Sequence, residues 1–185
     1  MIKDQKIVLV PLGEIESRIL KHLAEGLEKT FGRGVEVRKA IPLSDEAFNP
    51  GRGQYFSTFI LAELHKQPDS GKQGRALAVV DVDLYAEGLN FVFGEAELGG
   101  QFALISLARL RQSFYGLKEN ESLFLARALK EAVHELGHAF GLSHCPDPSC
   151  VMFFSNSLLD TDKKSASFCA VCRARLENSP VLQSD

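Results

Sequence analysis

Ala76-Leu77-Ala78-Val79-Val80-Asp81-Val82 is an almost unbroken apolar run in the middle of the chain, and its reading decides the fold class. A run of this length, rich in branched side chains and without alternation, suits a strand covered on both faces. Such strands belong to sheets flanked by helices. Upstream, Ile7 to Leu12 is a second short apolar run of the same character. After it Ile15, Ile19, Leu20, Leu23 and Leu27 recur at helical spacing as far as Lys29 or Thr30, and Gly32 and Gly34 break the pattern. Val35-Glu36-Val37-Arg38 then alternates like a further strand. Strand, helix, strand in that order predicts a right-handed parallel unit. The class is α/β.

From Ile41 to Gly53, prolines and glycines with little period predict a loop, and Phe56, Phe59, Ile60 and Leu64 mark a second helix closed by Pro68 and the polar stretch Asp69 to Gly74. Downstream of the central run, Asn90 to Leu98 and Gln101 to Leu110 read as two extended segments separated by Gly99-Gly100, a hairpin signal that makes the sheet mixed. Leu123, Phe124, Ala126, Leu129 and Val133 carry a long helix from about Asn120 to Phe140, after which helical pattern largely stops. No repeat or linker divides the chain. The expected organisation is one domain over residues 1–185: sheet and helices through residue 140, a site segment over 141–178, and a flexible tail over 179–185.

The chain has 185 residues, 45% of them apolar and 24% charged, the balance of an ordinary globular domain. A chain of this size buries about 70% of its unfolded surface, so metal or disulfide is expected to act locally. Lys+Arg 21 against Asp+Glu 24 leaves a net charge of −3 with no basic cluster, which argues against a nucleic-acid partner. No apolar stretch approaches membrane-spanning length, and the N-terminus does not read as a leader, so a cytoplasmic protein with no membrane partner is expected, as a monomer. Cys145, Cys150, Cys169 and Cys172 all lie in the last quarter. Without a secretion signal they read as metal ligands or free thiols ahead of disulfides.

The end of the long helix is His134-Glu135-Leu136-Gly137-His138-Ala139-Phe140-Gly141-Leu142-Ser143-His144. Two histidines four residues apart differ by about 400° of rotation and roughly 6 Å of rise, so both imidazoles leave one face and can grip one ion. Glu135, about 100° round from His134, stands beside that ion, where a carboxylate can take a proton from a bound water. A helix cannot bring a third imidazole to the same tetrahedron. Gly141 tolerates the left-handed backbone that ends a helix, which lets the chain turn and return His144. Three neutral imidazoles and a water would complete an open catalytic zinc site. By composition alone the full spacing arises in roughly a few chains of this kind in 100,000.

The motif resembles the metzincin metallopeptidases, whose signature is H-E-x-x-H-x-x-G-x-x-H followed by a methionine-containing turn. The continuation narrows the resemblance to the archaemetzincin family: Cys145 directly follows the third histidine, Cys150 and Met152 come next, and Cys169-Ala170-Val171-Cys172 closes the pattern. The likeness is tightest from about Val133 to Cys172. It implies a minimal metzincin domain with a mixed, twisted five-stranded sheet, an antiparallel edge strand, a long active-site helix and an irregular C-terminal zinc-bound segment. It also implies two Zn²⁺ per chain, one catalytic and one held by Cys145, Cys150, Cys169 and Cys172. Soft thiolates in two closely spaced pairs suit a structural zinc, while two disulfides or a redox-active pair at Cys169/Cys172 are the alternatives.

By the same resemblance Met152 is an apolar floor beneath the histidines, and Phe153 and Phe154 stand where some metzincins carry a tyrosine that assists at the metal. The segment around Phe91, Val92, Phe93, Gly94 and Glu95 matches the edge strand along which metzincins lay an extended peptide, where backbone pairing gives affinity without strong selectivity. His22 and His65 lack any ligand context, Asp81 and Asp83 read as a solvated strand end, and nothing places Tyr115 or Arg127 at the cleft. The implied function is zinc-dependent hydrolysis of peptide or protein substrates, with a zinc-bound water activated by Glu135. The competing readings are a non-catalytic peptide-binding or regulatory protein that retains the zinc sites, and a purely structural zinc module.

Overall fold

The structure is a computed structural model that describes residues 6–67 and 74–179. A central sheet runs in the order β2-β1-β5-β8-β7. Its strands are β1 (Lys6–Pro11), β2 (Val35–Val37), β5 (Gly74–Val80), β7 (Gly94–Ala96) and β8 (Phe102–Ser106). β7 alone is antiparallel to its neighbour, so the sheet is mixed and β7 forms one edge. Period-2 alternation divides the apolar strands between two cores. Ile7, Leu9, Leu77, Val79, Ala103 and Ile105 face helices α1 (Ser17–Phe31) and α3 (Glu121–Ala139). Val8, Val10, Ala78, Val80, Phe102 and Leu104 face α2 (Ser57–Leu64) on the opposite side. Burial on both faces explains why the runs carry no alternation of their own.

α3 positions the site. Asn120 Oδ1 caps it by accepting from the Leu123 N–H at 3.1 Å. Phe124, Ala128, Ala132, Val133 and Leu136 pack its buried side under the sheet, which carries the helix end beneath β7. Among the described residues no helix is long and apolar enough to cross a membrane.

Three parts differ from expectation. The predicted loop over 41–53 contains β3 (Phe48–Asn49), which joins β4 (Gln54–Phe56) and β6 (Leu84–Tyr85) in a second, three-stranded sheet. Asn90 to Phe93 belongs to no strand of the central sheet. The Arg52 guanidinium and the Gln54 amide both donate to Asn90 O, at 2.9 and 3.0 Å, and Val92 bridges to Leu84 in the small sheet. The C-terminal segment is not irregular throughout: it holds α4 (Leu158–Lys163), with a Ser157/Asp160 capping box, and α5 (Ala170–Glu177). Both are short and bury little, Thr161 on the first and Cys172 and Leu176 on the second, so neither carries an apolar stripe for the sequence to show. Ser179 is buried and donates to Phe140 O at 3.0 Å; the rest of the expected tail, residues 180–185, lies outside the described residues, as does Pro68.

Candidate active site

Gly141 stops α3 with φ +93°, and the Gly141 and Leu142 N–H groups donate back to His138 O and Gly137 O at 2.8 and 2.9 Å. The reversal aims Leu142 O at His138, whose Nδ1 donates to it at 2.7 Å. Val151 O plays the same part for His134 Nδ1, also at 2.7 Å. A carbonyl only accepts, so both Nδ1 atoms carry the proton and both neutral rings present a bare Nε2 lone pair. Those two Nε2 atoms lie 3.1 Å apart, and His144 Nε2 lies 3.2 Å from that of His138.

Two lone pairs facing each other at that distance repel unless a cation lies between them. A tetrahedral zinc with Zn–N near 2.0–2.1 Å sets its nitrogen ligands about 3.3 Å apart, so the donor set fits that ion. Burial lowers the proton affinity of His134 well below that of an ordinary histidine, with Lys164 and the two other imidazoles adding to the effect. Burial comes first for His138 and His144 as well. All three shifts favour the neutral, ligating form.

The four cysteine Sγ atoms lie within 4.8 Å of one another. Cys145 Sγ and Cys169 Sγ are 3.8 Å apart, against about 3.8 Å across a tetrahedron with Zn–S near 2.3 Å and about 2.0 Å in a disulfide. The four cysteines are free and gathered in one cluster, so paired disulfides do not describe them. Cys169 is the N-cap of α5, where the Cys172 N–H holds its thiol down at about 7. Burial pushes the Cys172 thiol up. The Cys145 N–H donates to Met152 O at 3.0 Å, which ties this cluster to the histidine site.

Met152 is fully buried beneath Gly137, in the turn of α3 between His134 and His138. Glu135 is buried against the edge strand. A Cβ on Gly94 would lie 2.6 Å from Glu135 Cγ and 2.8 Å from Oε1, so the glycine makes room for the carboxylate. Burial raises the Glu135 pKa well above the ordinary carboxylate value; Glu131 adds to this, Lys164 opposes it and Glu95 adds a smaller push. A cleft of about 260 Å³ runs between Leu89–Gly94 and Phe154–Asn156, with Glu131, His134 and Glu135 along it.

Of the expected edge segment, Gly94 and Glu95 lie in β7 while Phe91, Val92 and Phe93 form the cleft rim before it. Phe93 O accepts from Ser106 N and Glu97 N donates to Phe102 O, so by antiparallel alternation the N–H and C=O groups of Gly94 and Ala96 point away from β8. The Glu95 side chain faces α2, accepting from the Ser57 and Thr58 hydroxyls. Phe154 packs against the His144 ring at 4.8 Å between centroids.

His65 faces Glu97 and the Phe102 ring, and His22 is on α1; neither joins the histidine cluster. Asp81 and Asp83 follow the end of β5 and both are ion-paired: Arg111 pairs with the exposed Asp81 at 2.6 Å, and Arg109 grips the half-buried Asp83 at 2.5 and 2.8 Å. Tyr115 donates to Arg109 O, and Arg127 forks onto Asp162 at 2.7 Å through each of two nitrogens, away from the cleft. Sequence reasoning missed Glu131 and Lys164, a buried ion pair at 3.1 Å. The spacing of Glu131 to His134 and Glu135 was a readable signal, because three and four residues return to one helix face. Nothing in the sequence marked Lys164.

A family model described as peptidase family M54 matches residues 18–178. The archaemetzincin of Methanocaldococcus jannaschii is 46% identical over 184 residues, covering 100% of this chain and 99% of that protein. The Pyrococcus furiosus archaemetzincin is 46% identical over 176 residues, 92% of each. Among solved structures, the Archaeoglobus fulgidus archaemetzincin complexed with malonate superposes with TM-score 0.80 at 42% identity, covering 92% of this chain and 99% of that one. The Methanopyrus kandleri archaemetzincin gives 0.84 at 41% identity, covering 96% of each chain.

Proposed function

The chain belongs to the archaemetzincins, peptidase family M54, and is a zinc metallopeptidase; from that premise we propose that it hydrolyses peptide bonds at His134, His138 and His144 with Glu135 as base. The three imidazoles would hold the catalytic zinc through Nε2, and Cys145, Cys150, Cys169 and Cys172 a second, structural zinc. When bound at the imidazoles, zinc supplies a Lewis acid and lowers the pKa of water in its open position toward about 7. Glu135 accepts the proton of the attacking water and later gives it to the departing amine. Its burial beneath Gly94 leaves the carboxyl little access to bulk water, so the proton stays in the site.

The outward N–H and C=O groups of Gly94 and Ala96 would pair with an extended substrate backbone and lay it along the cleft. Met152, pressed under Gly137, keeps the two helical imidazoles from tilting. The observation that carries the reading is the convergence of three Nε2 atoms, two of them forced by carbonyl partners to present lone pairs to each other.

The test is zinc content per chain alongside digestion of a peptide library. Two zincs in wild type, one in His138→Ala, one in Cys169→Ser, and an intact count with no turnover in Glu135→Gln are expected. Loss of both zincs in His138→Ala would point to a single shared cluster, and turnover by Glu135→Gln at the wild-type rate would remove the base.

A further inference from the structure

We propose that Glu131 makes the cleft selective for a substrate side chain, next to the scissile bond, that carries a hydrogen-bond donor on an apolar stem: lysine, arginine or glutamine. The proposal rests on the peptide-bond chemistry assigned to the site.

Glu131 precedes Glu135 by one helical turn, so it lies on the same face of α3, roughly 6 Å along the axis from the base. Its carboxylate is buried yet lines the cleft. Oε1 accepts from Thr161 Oγ1 and from Lys164 Nζ, each at 3.1 Å. A carboxylate offers about four acceptor positions, and among the described residues no bond is made to Oε2. The Lys164 side chain has no exposed surface, so its ammonium is held within the protein while Glu131 faces both the lysine and the cleft.

A second polar group points the same way. Ser155 Oγ is buried, lines the same cleft, and has no hydrogen-bond partner among the described residues. The rest of the lining is largely apolar: Leu89 and Phe154, each about half exposed, stand beside the exposed amides Asn90 and Asn156, and Phe91, Val92 and Phe93 add apolar wall. Apolar walls around a carboxylate and an unpaired hydroxyl match a side chain with an apolar stem and a donor tip. An acidic tip would meet the carboxylates of Glu131 and Glu135. A wholly apolar side chain would shut the Glu131 and Ser155 oxygens away from water with nothing to bond, and sites built to bond a polar tip reject analogues that lack one.

The test uses zinc-loaded protein and short peptide hydroxamates, which chelate zinc, carrying lysine, glutamine, norleucine or glutamate as the first side chain, with affinity read by titration calorimetry. Lysine and glutamine are expected to bind roughly tenfold or more tighter than norleucine, and glutamate weakest. In the double variant Glu131→Met/Lys164→Met, which removes both charges of the buried pair, the lysine-to-norleucine ratio should fall to near one. Ser155→Ala, outside the ion pair, should lower the ratio severalfold and carries the test if the double variant does not fold. Equal binding of norleucine and lysine, preference for glutamate, or a ratio unchanged in these variants overturns the proposal. A peptide library left uncut while the hydroxamates sort as expected would remove the hydrolytic mechanism and leave the selectivity standing.

Discussion

Met152 occupies the space into which a side chain at Gly137 would grow: a Cβ built there would overlap the sulfur and lie 3.1 Å from Cε. Gly137 stands in the helical turn that separates His134 from His138, so the methionine presses on the backbone carrying both imidazoles. A helix ordinarily gains about 1 kcal/mol when glycine becomes alanine, because the unfolded chain loses freedom. Here the added methyl has no room, since Met152 is itself fully buried.

Gly137→Ala is therefore expected to reverse the usual sign and destabilise by about 1–3 kcal/mol, the cost of overpacking a filled core. It should also weaken zinc binding at the histidines. Urea denaturation with metal analysis checks both, and a more stable variant would show that the methionine can move aside.

At Gly94 the obstructed neighbours are Glu135 and the backbone of β8. Alanine there would put its methyl 2.6 Å from both Glu135 Cγ and Leu104 O, so the carboxylate and the edge strand must shift while the imidazoles need not. Gly94→Ala should keep its zinc and lose roughly a hundredfold in kcat, within the range a positioned acid-base group supplies. Peptide turnover measured beside zinc content separates this outcome from a general loss of structure.

The pair formed by Lys164 and Glu131 should behave asymmetrically. Both side chains are shut away from solvent, so Lys164→Met alone leaves a buried carboxylate without its cation and is expected to cost about 3–5 kcal/mol. Replacing both by methionine should cost much less, because no charge is stranded. A thermodynamic double-mutant cycle measures the difference, and additive losses would count against a coupled pair.

The cysteine cluster draws together the loop after α3, the segment carrying Met152 and the start of α5. Cys169→Ser should release that ring of contacts while leaving the central sheet intact. Hydrogen exchange is expected to quicken across residues 145–172, with β1, β5 and β8 unchanged. Because Cys145 follows His144 directly, zinc affinity at the histidines should fall as well.

Much of this protein was legible in its sequence, because two kinds of information in it are local. Strands buried on both faces appear as apolar runs, and Ile7 to Leu12 and Ala76 to Val82 lie within a residue or two of β1 and β5. Ligand spacing on a helix is likewise fixed by helical pitch, so His134, Glu135 and His138 could be placed before any coordinates existed. Gly141 announced the turn that returns His144.

Tertiary structure decided what depends on residues far apart in the chain. Asn90 to Phe93 reads as the start of an extended segment, yet Arg52 and Gln54, some 36 to 38 residues upstream, draw it to a second sheet and make it the rim of the cleft. Lys164 reads as one more surface lysine until the chain end folds it against Glu131, 33 positions earlier. Sequence periodicity records which way a side chain points on its own element, and so it put the His134 and His138 imidazoles on one face. Only packing records which element arrives opposite, and that determined the depth of Glu135, the buried ion pair and the walls of the cleft.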